Sequence, residues 1–112
     1  MSVNINNYEF SNPVKMDDFE YAEKKGIYII LYEKYKENLN MAYIGQSDNL
    51  AERGLPWNHT KIDKFKELAG KKNNLYISFH NMPHSTPNTR QEIERELIKE
   101  YKPPCNEYLL NG

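Results

Sequence analysis

Residues 26–32 read Gly-Ile-Tyr-Ile-Ile-Leu-Tyr, and residues 41–45 read Met-Ala-Tyr-Ile-Gly. β-Branched and aromatic side chains favour an extended backbone, so each run predicts a strand. The charged, Asn-rich segment 33–40 between them predicts a polar loop. Two strands joined by a compact loop favour an antiparallel hairpin, and the rest of the fold is expected to build on it.

The chain after this hairpin alternates between helical and strand patterns. Ser47-Asp48-Asn49 offers a helix cap before a short helix at 50–53. Apolar residues at helical spacing predict a second helix that starts at Thr60 and ends at Gly70. The alternating run 75–80 predicts a third strand.

The last helix has the clearest sequence pattern. Thr89 and Glu92 have the spacing of a capping box, and the helix is expected to run to about Tyr101, where Pro103-Pro104 stops it. The element order β-β-α-α-β-α predicts an α+β fold, with a small three-stranded antiparallel sheet flanked by helices.

The sequence predicts one domain preceded by an N-terminal extension. Residues 1–25 predict an N-terminal extension that packs on the domain, with a short helix at 17–23, and residues 26–112 form the domain itself. With 112 residues, 38% hydrophobic and 28% charged, the chain suits one soluble globular domain.

It contains no apolar run of membrane-spanning length and no signal-like start, so the expected location is the cytoplasm. Cys105 is the single cysteine, which excludes an internal disulfide.

The net charge of −1 argues by itself against a nucleic-acid partner, because such proteins usually carry a basic excess. The total hides a cluster, since five lysines fall within residues 61–72. Such a cluster is either a patch that guides a polyanion or an ordinary solvated helix face. The lysines are Lys61, Lys64, Lys66, Lys71 and Lys72.

An acidic residue falls within the apolar stripe of the last helix. At about 100° per residue, Glu94 lies on the inward face, whereas Glu92 and Glu96 point to water. A carboxylate on such a face needs a partner or a metal ion. Arg90, four residues earlier and also inward, offers an ion pair, so the pattern alone leaves both options open. The stripe contains Ile93, Leu97, Ile98 and Tyr101.

Four motifs occur in a meaningful order. Gly26-Ile27-Tyr28 is followed by Tyr43-Ile44-Gly45, and an arginine, Arg53, follows the second glycine by eight residues. A closing block starts at Glu94 and reaches Asn106 twelve residues later. Together these motifs resemble the GIY-YIG nuclease superfamily over residues 26–106, and the chain is similar to the catalytic modules of homing endonucleases and of UvrC.

The resemblance implies an endonuclease that uses Mg²⁺ or Mn²⁺ to hydrolyse phosphodiester bonds in DNA. It implies that Glu94 is the metal ligand and that Arg53 neutralises charge on the phosphoryl oxygens. Tyr28 would activate or orient the attacking water, and Tyr43 would hydrogen-bond the phosphate or the water. A strand tyrosine is also a common packing residue, and that interpretation stays open.

The sequence departs from the family pattern at two positions. Trp57 stands where many members have His or Tyr, so the nearby His59 is either the candidate proton carrier or a surface histidine in a loop. Gln46 stands where some members have Lys. The expected substrate contacts are made by Gly45, Gln46, Lys61 and Asn106, although Asn106 could instead order the C-terminal segment, and Gly45 could simply permit a close backbone approach.

Three functions therefore remain. The first is a nuclease whose partner is DNA, with structured or branched DNA as one option. The second is a catalytically weak or inactive nucleic-acid-binding module of the same fold. The third is a protein-interaction domain, which the near-neutral charge favours. The oligomeric state stays open.

Overall fold

A computed structural model describes residues 2–19, 24–35, 38–49, 62–70 and 74–106. The strands are β1 (Ser2–Ile5), β2 (Tyr8–Ser11), β3 (Val14–Lys15), β4 (Gly26–Tyr35), β5 (Asn38–Ser47) and β6 (Leu75–Asn81). The helices are α1 (Ile62–Ala69) and α2 (Pro87–Tyr101), with a 3-10 turn at Met16–Asp18. Neither α1 nor α2, the α-helices of the described ranges, is long and apolar enough to cross a membrane.

The central sheet is antiparallel and has four strands in the order β3-β6-β4-β5, while β1 and β2 form a separate hairpin. The α+β class is confirmed, but the expectation of three strands is wrong. The additional strand, β3, comes from the N-terminal residues, where Val14 pairs with Ile77. Both residues of β3 are exposed, so no alternation of polar and apolar residues marked it. The helix expected at 50–53 lies outside the described residues.

The hairpin of β4 and β5 is longer than the sequence predicts. Strand β4 continues to Tyr35 and β5 starts at Asn38, so the segment 33–40 is mostly strand and the expected loop is wrong. This end of the hairpin faces water, so hydrogen bonds between the two backbones are enough to extend the strands. Polar side chains are therefore tolerated there. Asn74 also ties this end, because its Nδ2 donates to Glu33 Oε1 at 2.8 Å.

The sheet packs on both faces. Successive residues of β4 point to opposite sides, so Tyr28 and Ile30 pack with Phe65 of α1, whereas Ile27 and Ile29 pack with Leu97 of α2. We call these two sides the α1 face and the α2 face. Burying each isoleucine contributes about 1.5–3 kcal/mol, so both faces stabilise the sheet.

The helix ends show which caps operate. Helix α1 is followed by Gly70 at φ 72°, which agrees with the predicted end. The capping box expected at Thr89 is wrong by one turn, because the N-cap is Thr86, whose side chain accepts from the backbone N–H of Thr89 at 3.2 Å. Helix α2 ends at Tyr101 as predicted, and Lys102 closes it in the left-handed conformation at φ 48°.

The β1–β2 hairpin docks against β6 and α2. His80 Nδ1 lies 2.8 Å from the carbonyl oxygen of Glu9. Glu96 of α2 accepts from Asn6 Nδ2 at 2.6 Å and from the Tyr8 hydroxyl at 3.3 Å. Glu96, expected simply to face water, therefore joins the hairpin to the helix.

Candidate active site

Two tyrosines meet on the α1 face of the sheet. The rings of Tyr28 on β4 and Tyr43 on β5 have centroids 6.1 Å apart and planes inclined by 35°. Tyr43 also contacts Phe65 of α1, with centroids 5.7 Å apart. Tyr28 is only 2% exposed, whereas Tyr43 is partly exposed. The strand pairing thus brings together the two tyrosines that the motifs singled out.

Gly45 makes room for the Tyr28 ring. The two residues are direct partners across β4 and β5. A Cβ atom at position 45 would lie 2.4 Å from Tyr28 Cζ and 2.5 Å from its hydroxyl oxygen. No side chain fits at that distance, so the tyrosine hydroxyl lies over bare backbone. The close-approach interpretation of Gly45 is confirmed, and its contact with substrate stays a prediction.

Glu94 lies on the partly buried side of α2. The buried residues of the helix are Arg90 and Leu97, and Glu94 is partly buried beside them, while Glu92 is exposed. The prediction that the Glu94 side chain points inward is therefore correct, although the apolar stripe of α2 is narrower than expected. Tyr101 was placed in that stripe and is 40% exposed.

Arg90 links α2 to the end of β5. It is 2% exposed, and its Nε donates to Gln46 Oε1 at 3.0 Å. Its Nη1 donates to the carbonyl oxygen of Ser85 at 3.1 Å and to Ser85 Oγ at 2.9 Å. Among the described residues, these hydrogen-bond partners of Arg90 do not include Glu94, the ion-pair partner that the pattern left open. Helical phase placed Arg90 inward, but nothing in the sequence pointed to Gln46 as its partner.

Asn106 closes the outer edge of β5. Its Oδ1 accepts from the backbone N–H of Ile44, and its Nδ2 donates to the carbonyl oxygen of Ile44, both at 2.8 Å. The backbone N–H of Cys105 donates to the carbonyl oxygen of Ala42, also at 2.8 Å. The side-chain amide therefore acts as a strand residue would, which agrees with an ordering role for Asn106.

The family model described as the GIY-YIG catalytic domain matches residues 24–108. This chain belongs to the GIY-YIG family. No curated protein and no solved structure is significantly similar to it. GIY-YIG domains are generally endonucleases that use divalent metals and act on nucleic acid. The β1–β2 hairpin and β3 lie before the matched range.

Three further predicted site residues, Arg53, His59 and Lys61, lie outside the described residues. In the ranges that the structure describes, no group of three or more His, Cys, Asp or Glu side chains is placed to hold a metal ion. Among the described residues, the predicted metal ligand is the single carboxylate of Glu94. That donor set suits Mg²⁺, which keeps several waters and often binds through one or two carboxylates.

Proposed function

We propose that this chain is a divalent-metal-dependent endonuclease that hydrolyses phosphodiester bonds in DNA. The observation that carries the proposal is the pair of neighbouring rings of Tyr28 and Tyr43, in which the Tyr28 ring lies over the bare backbone of Gly45. The absence of a side chain at Gly45 lets the Tyr28 hydroxyl approach the backbone of β5, and the close fit leaves the hydroxyl little room to move. The GIY-YIG family supplies the reaction class that suits this arrangement.

Glu94 is the proposed ligand for Mg²⁺ or Mn²⁺. It stands where the GIY-YIG motif has its metal-binding glutamate, and it is partly buried on α2. When bound, the cation would polarise the scissile phosphate and stabilise the leaving oxygen.

The tyrosines have complementary proposed roles. Tyr28 is buried and fixed, so its hydroxyl would orient the attacking water by hydrogen bonding. Tyr43 is partly exposed, and its hydroxyl would contact the phosphate or that water. Arg53 would neutralise charge on the phosphoryl oxygens, and its planar fork suits phosphate better than lysine does. His59 would carry a proton, while Lys61 would contact the backbone of the nucleic acid.

The test uses supercoiled plasmid and a labelled branched duplex, each with Mg²⁺ or Mn²⁺ against a chelator. Glu94→Ala should lower the cleavage rate by about 100-fold or more, the scale for removing a group that stabilises developing charge. Glu92→Ala is the matched control, since Glu92 is an exposed carboxylate on the same helix. Its rate should equal that of the wild type.

The other outcomes separate the remaining functions. Binding that weakens steeply with salt but never leads to cleavage favours a nucleic-acid-binding module, because phosphate contacts make affinity salt-dependent. Neither binding nor cleavage excludes nucleic acid as the partner and favours a protein-interaction domain. Preference for the branched duplex over plasmid would define the substrate as structured DNA.

A further inference from the structure

Arg90 carries a buried positive charge that is held by neutral groups. Buried arginines are usually paired with a carboxylate, since an unpaired buried charge is costly. Here the described hydrogen bonds go to the side-chain oxygen of Gln46 and to two oxygens of Ser85. Three directional bonds to two different segments fix the guanidinium in place. Such a costly arrangement calls for a reason beyond packing.

Gln46 brings the hydrogen bond of Arg90 to β5, on the opposite side of that strand from Tyr43. Along β5, Tyr43 faces α1, whereas Ile44 packs on the α2 face and Gln46 bonds Arg90 of α2. The residue before Gln46 is Gly45, over which the Tyr28 hydroxyl lies. One strand therefore carries the tyrosine contacts on one side and the Arg90 contact on the other.

Glu94 follows Arg90 by four residues on α2. Residues with this spacing are neighbours on one helix face, about 6 Å apart along the axis. Because a helix is stiff over one turn, fixing Arg90 against β5 also fixes the position of Glu94 relative to that strand. The hydrogen bond between Gln46 and Arg90 thus ties the helix that carries Glu94 to the end of β5.

We infer that Arg90 is a positioning residue for Glu94, with Gln46 as its partner across the β5–α2 interface. The inference rests on the proposed function, in which Glu94 holds the cation. It assigns Gln46 to the support of the site as well as to the predicted substrate contact. Residues that orient a metal ligand typically change metal affinity or activity by about 10- to 100-fold when they are replaced.

Two variants disrupt the hydrogen bond between Arg90 and Gln46, and a third serves as the control. Arg90→Lys keeps the charge but loses the Nε donor and the planar fork. Gln46→Met keeps the length of the side chain but removes the acceptor. Arg95→Lys makes the same chemical change at an exposed position of α2. Each protein is compared by cleavage against Mn²⁺ concentration, by Mn²⁺ binding without nucleic acid using electron paramagnetic resonance, and by thermal unfolding.

Arg90→Lys and Gln46→Met should each raise the half-saturating Mn²⁺ concentration by about 10-fold in both metal measurements, and Arg95→Lys should not change it. Combining Arg90→Lys with Gln46→Glu restores a charge-assisted contact, so the half-saturating concentration should return towards the wild-type value. Rescue of this kind is not expected if Arg90 only fills space.

A loss of thermal stability with unchanged Mn²⁺ dependence in both variants would overturn the inference, and so would a wild type that binds no Mn²⁺ through Glu94. If Arg90→Lys does not fold, Gln46→Met decides alone. A wild type that binds Mn²⁺ through Glu94 but cuts no substrate contradicts the proposed function alone. In that case the resonance measurements still decide whether Arg90 positions Glu94.

Discussion

The two faces of β5 hold their candidate functional groups by different means. On the α1 face, Tyr28 is placed by shape, since it is 2% exposed and needs a missing Cβ at Gly45. On the α2 face, the helix turn that carries Glu94 is placed by the directional bonds of Arg90. Shape is sensitive to added volume, whereas directional bonds are sensitive to lost donors and acceptors. Substitutions that add volume should therefore act mainly on the α1 face, and substitutions that remove hydrogen-bonding groups should act mainly on the α2 face.

The largest effect should come from Asn106→Ala, because β5 belongs to both faces. The change leaves the buried N–H and carbonyl groups of Ile44 without their partner, at a cost of about 1–3 kcal/mol for each group. The free energy of unfolding, measured in urea, should fall accordingly, and both the Tyr28 and Glu94 sides should loosen. Asn38→Ala, at an exposed position near the start of β5, is the control. A loss below about 0.5 kcal/mol would mean that water replaces the amide.

Gly45→Ala should disturb the α1 face alone. The added methyl group collides with the ring of Tyr28, so stability should fall by about 1–3 kcal/mol. The cleavage rate should fall with it, while the half-saturating metal concentration stays the same, unlike that of Arg90→Lys.

The double variant Gly45→Ala with Tyr28→Leu isolates this contact. Leucine removes the ring atoms that collide, so the double variant should lose less stability than the sum of the two single losses. Additive losses would show that the clash is relieved elsewhere and that shape does not hold the Tyr28 ring.

The sequence predicted what depends on local pattern. Strand β6, helix α1 with its end at Gly70, and the C-terminal end of α2 all follow from periodicity and capping chemistry. The motifs named Tyr28 and Tyr43 as candidate site residues, and the pairing of β4 with β5 brings their rings together.

The sequence could not predict what depends on partners distant in the chain. Strand β3 forms because β6 offers a free edge, and its two exposed residues leave no pattern. The bond from Arg90 to Gln46 joins residues 44 positions apart, and helical phase placed Arg90 inward without indicating its partner. Glu96 was assigned to water because helical phase contains no information about the hairpin that covers it.

A smaller effect, confined to the α2 face, should follow from Thr86→Ala. Thr86 is the N-cap of α2, and loss of such a cap costs about 0.5–2 kcal/mol. Thr89→Ala is the comparison, because the sequence pattern placed the cap there; it removes a hydroxyl that lies 2.9 Å from that of Thr86 but leaves the Thr86 acceptor in place. Its loss should be clearly smaller when both are measured by urea unfolding. Equal losses, or a larger one at Thr89, would show that the pattern was right about the cap.

The smallest effect should appear at Tyr8, where the hairpin meets α2. Burial raises the pKa of the Tyr8 hydroxyl above its ordinary value of 10.0, and the charge and hydrogen bond of Glu96 raise it further. A group whose pKa is raised by folding contributes its full stabilisation at pH values below its pKa in the unfolded chain. That stabilisation is lost as the pH rises through its pKa in the folded protein. The difference in Tm between the wild type and Tyr8→Phe should therefore be constant from pH 8 to about 10 and change above it, in the sense that the wild type loses stability. Glu96→Gln removes the charge but not the burial, so it should weaken this alkaline change without abolishing it. A difference that stays constant to pH 11 would mean that the Tyr8 hydroxyl does not sense folding, and that the hairpin is held by its contacts with β6 rather than by Glu96.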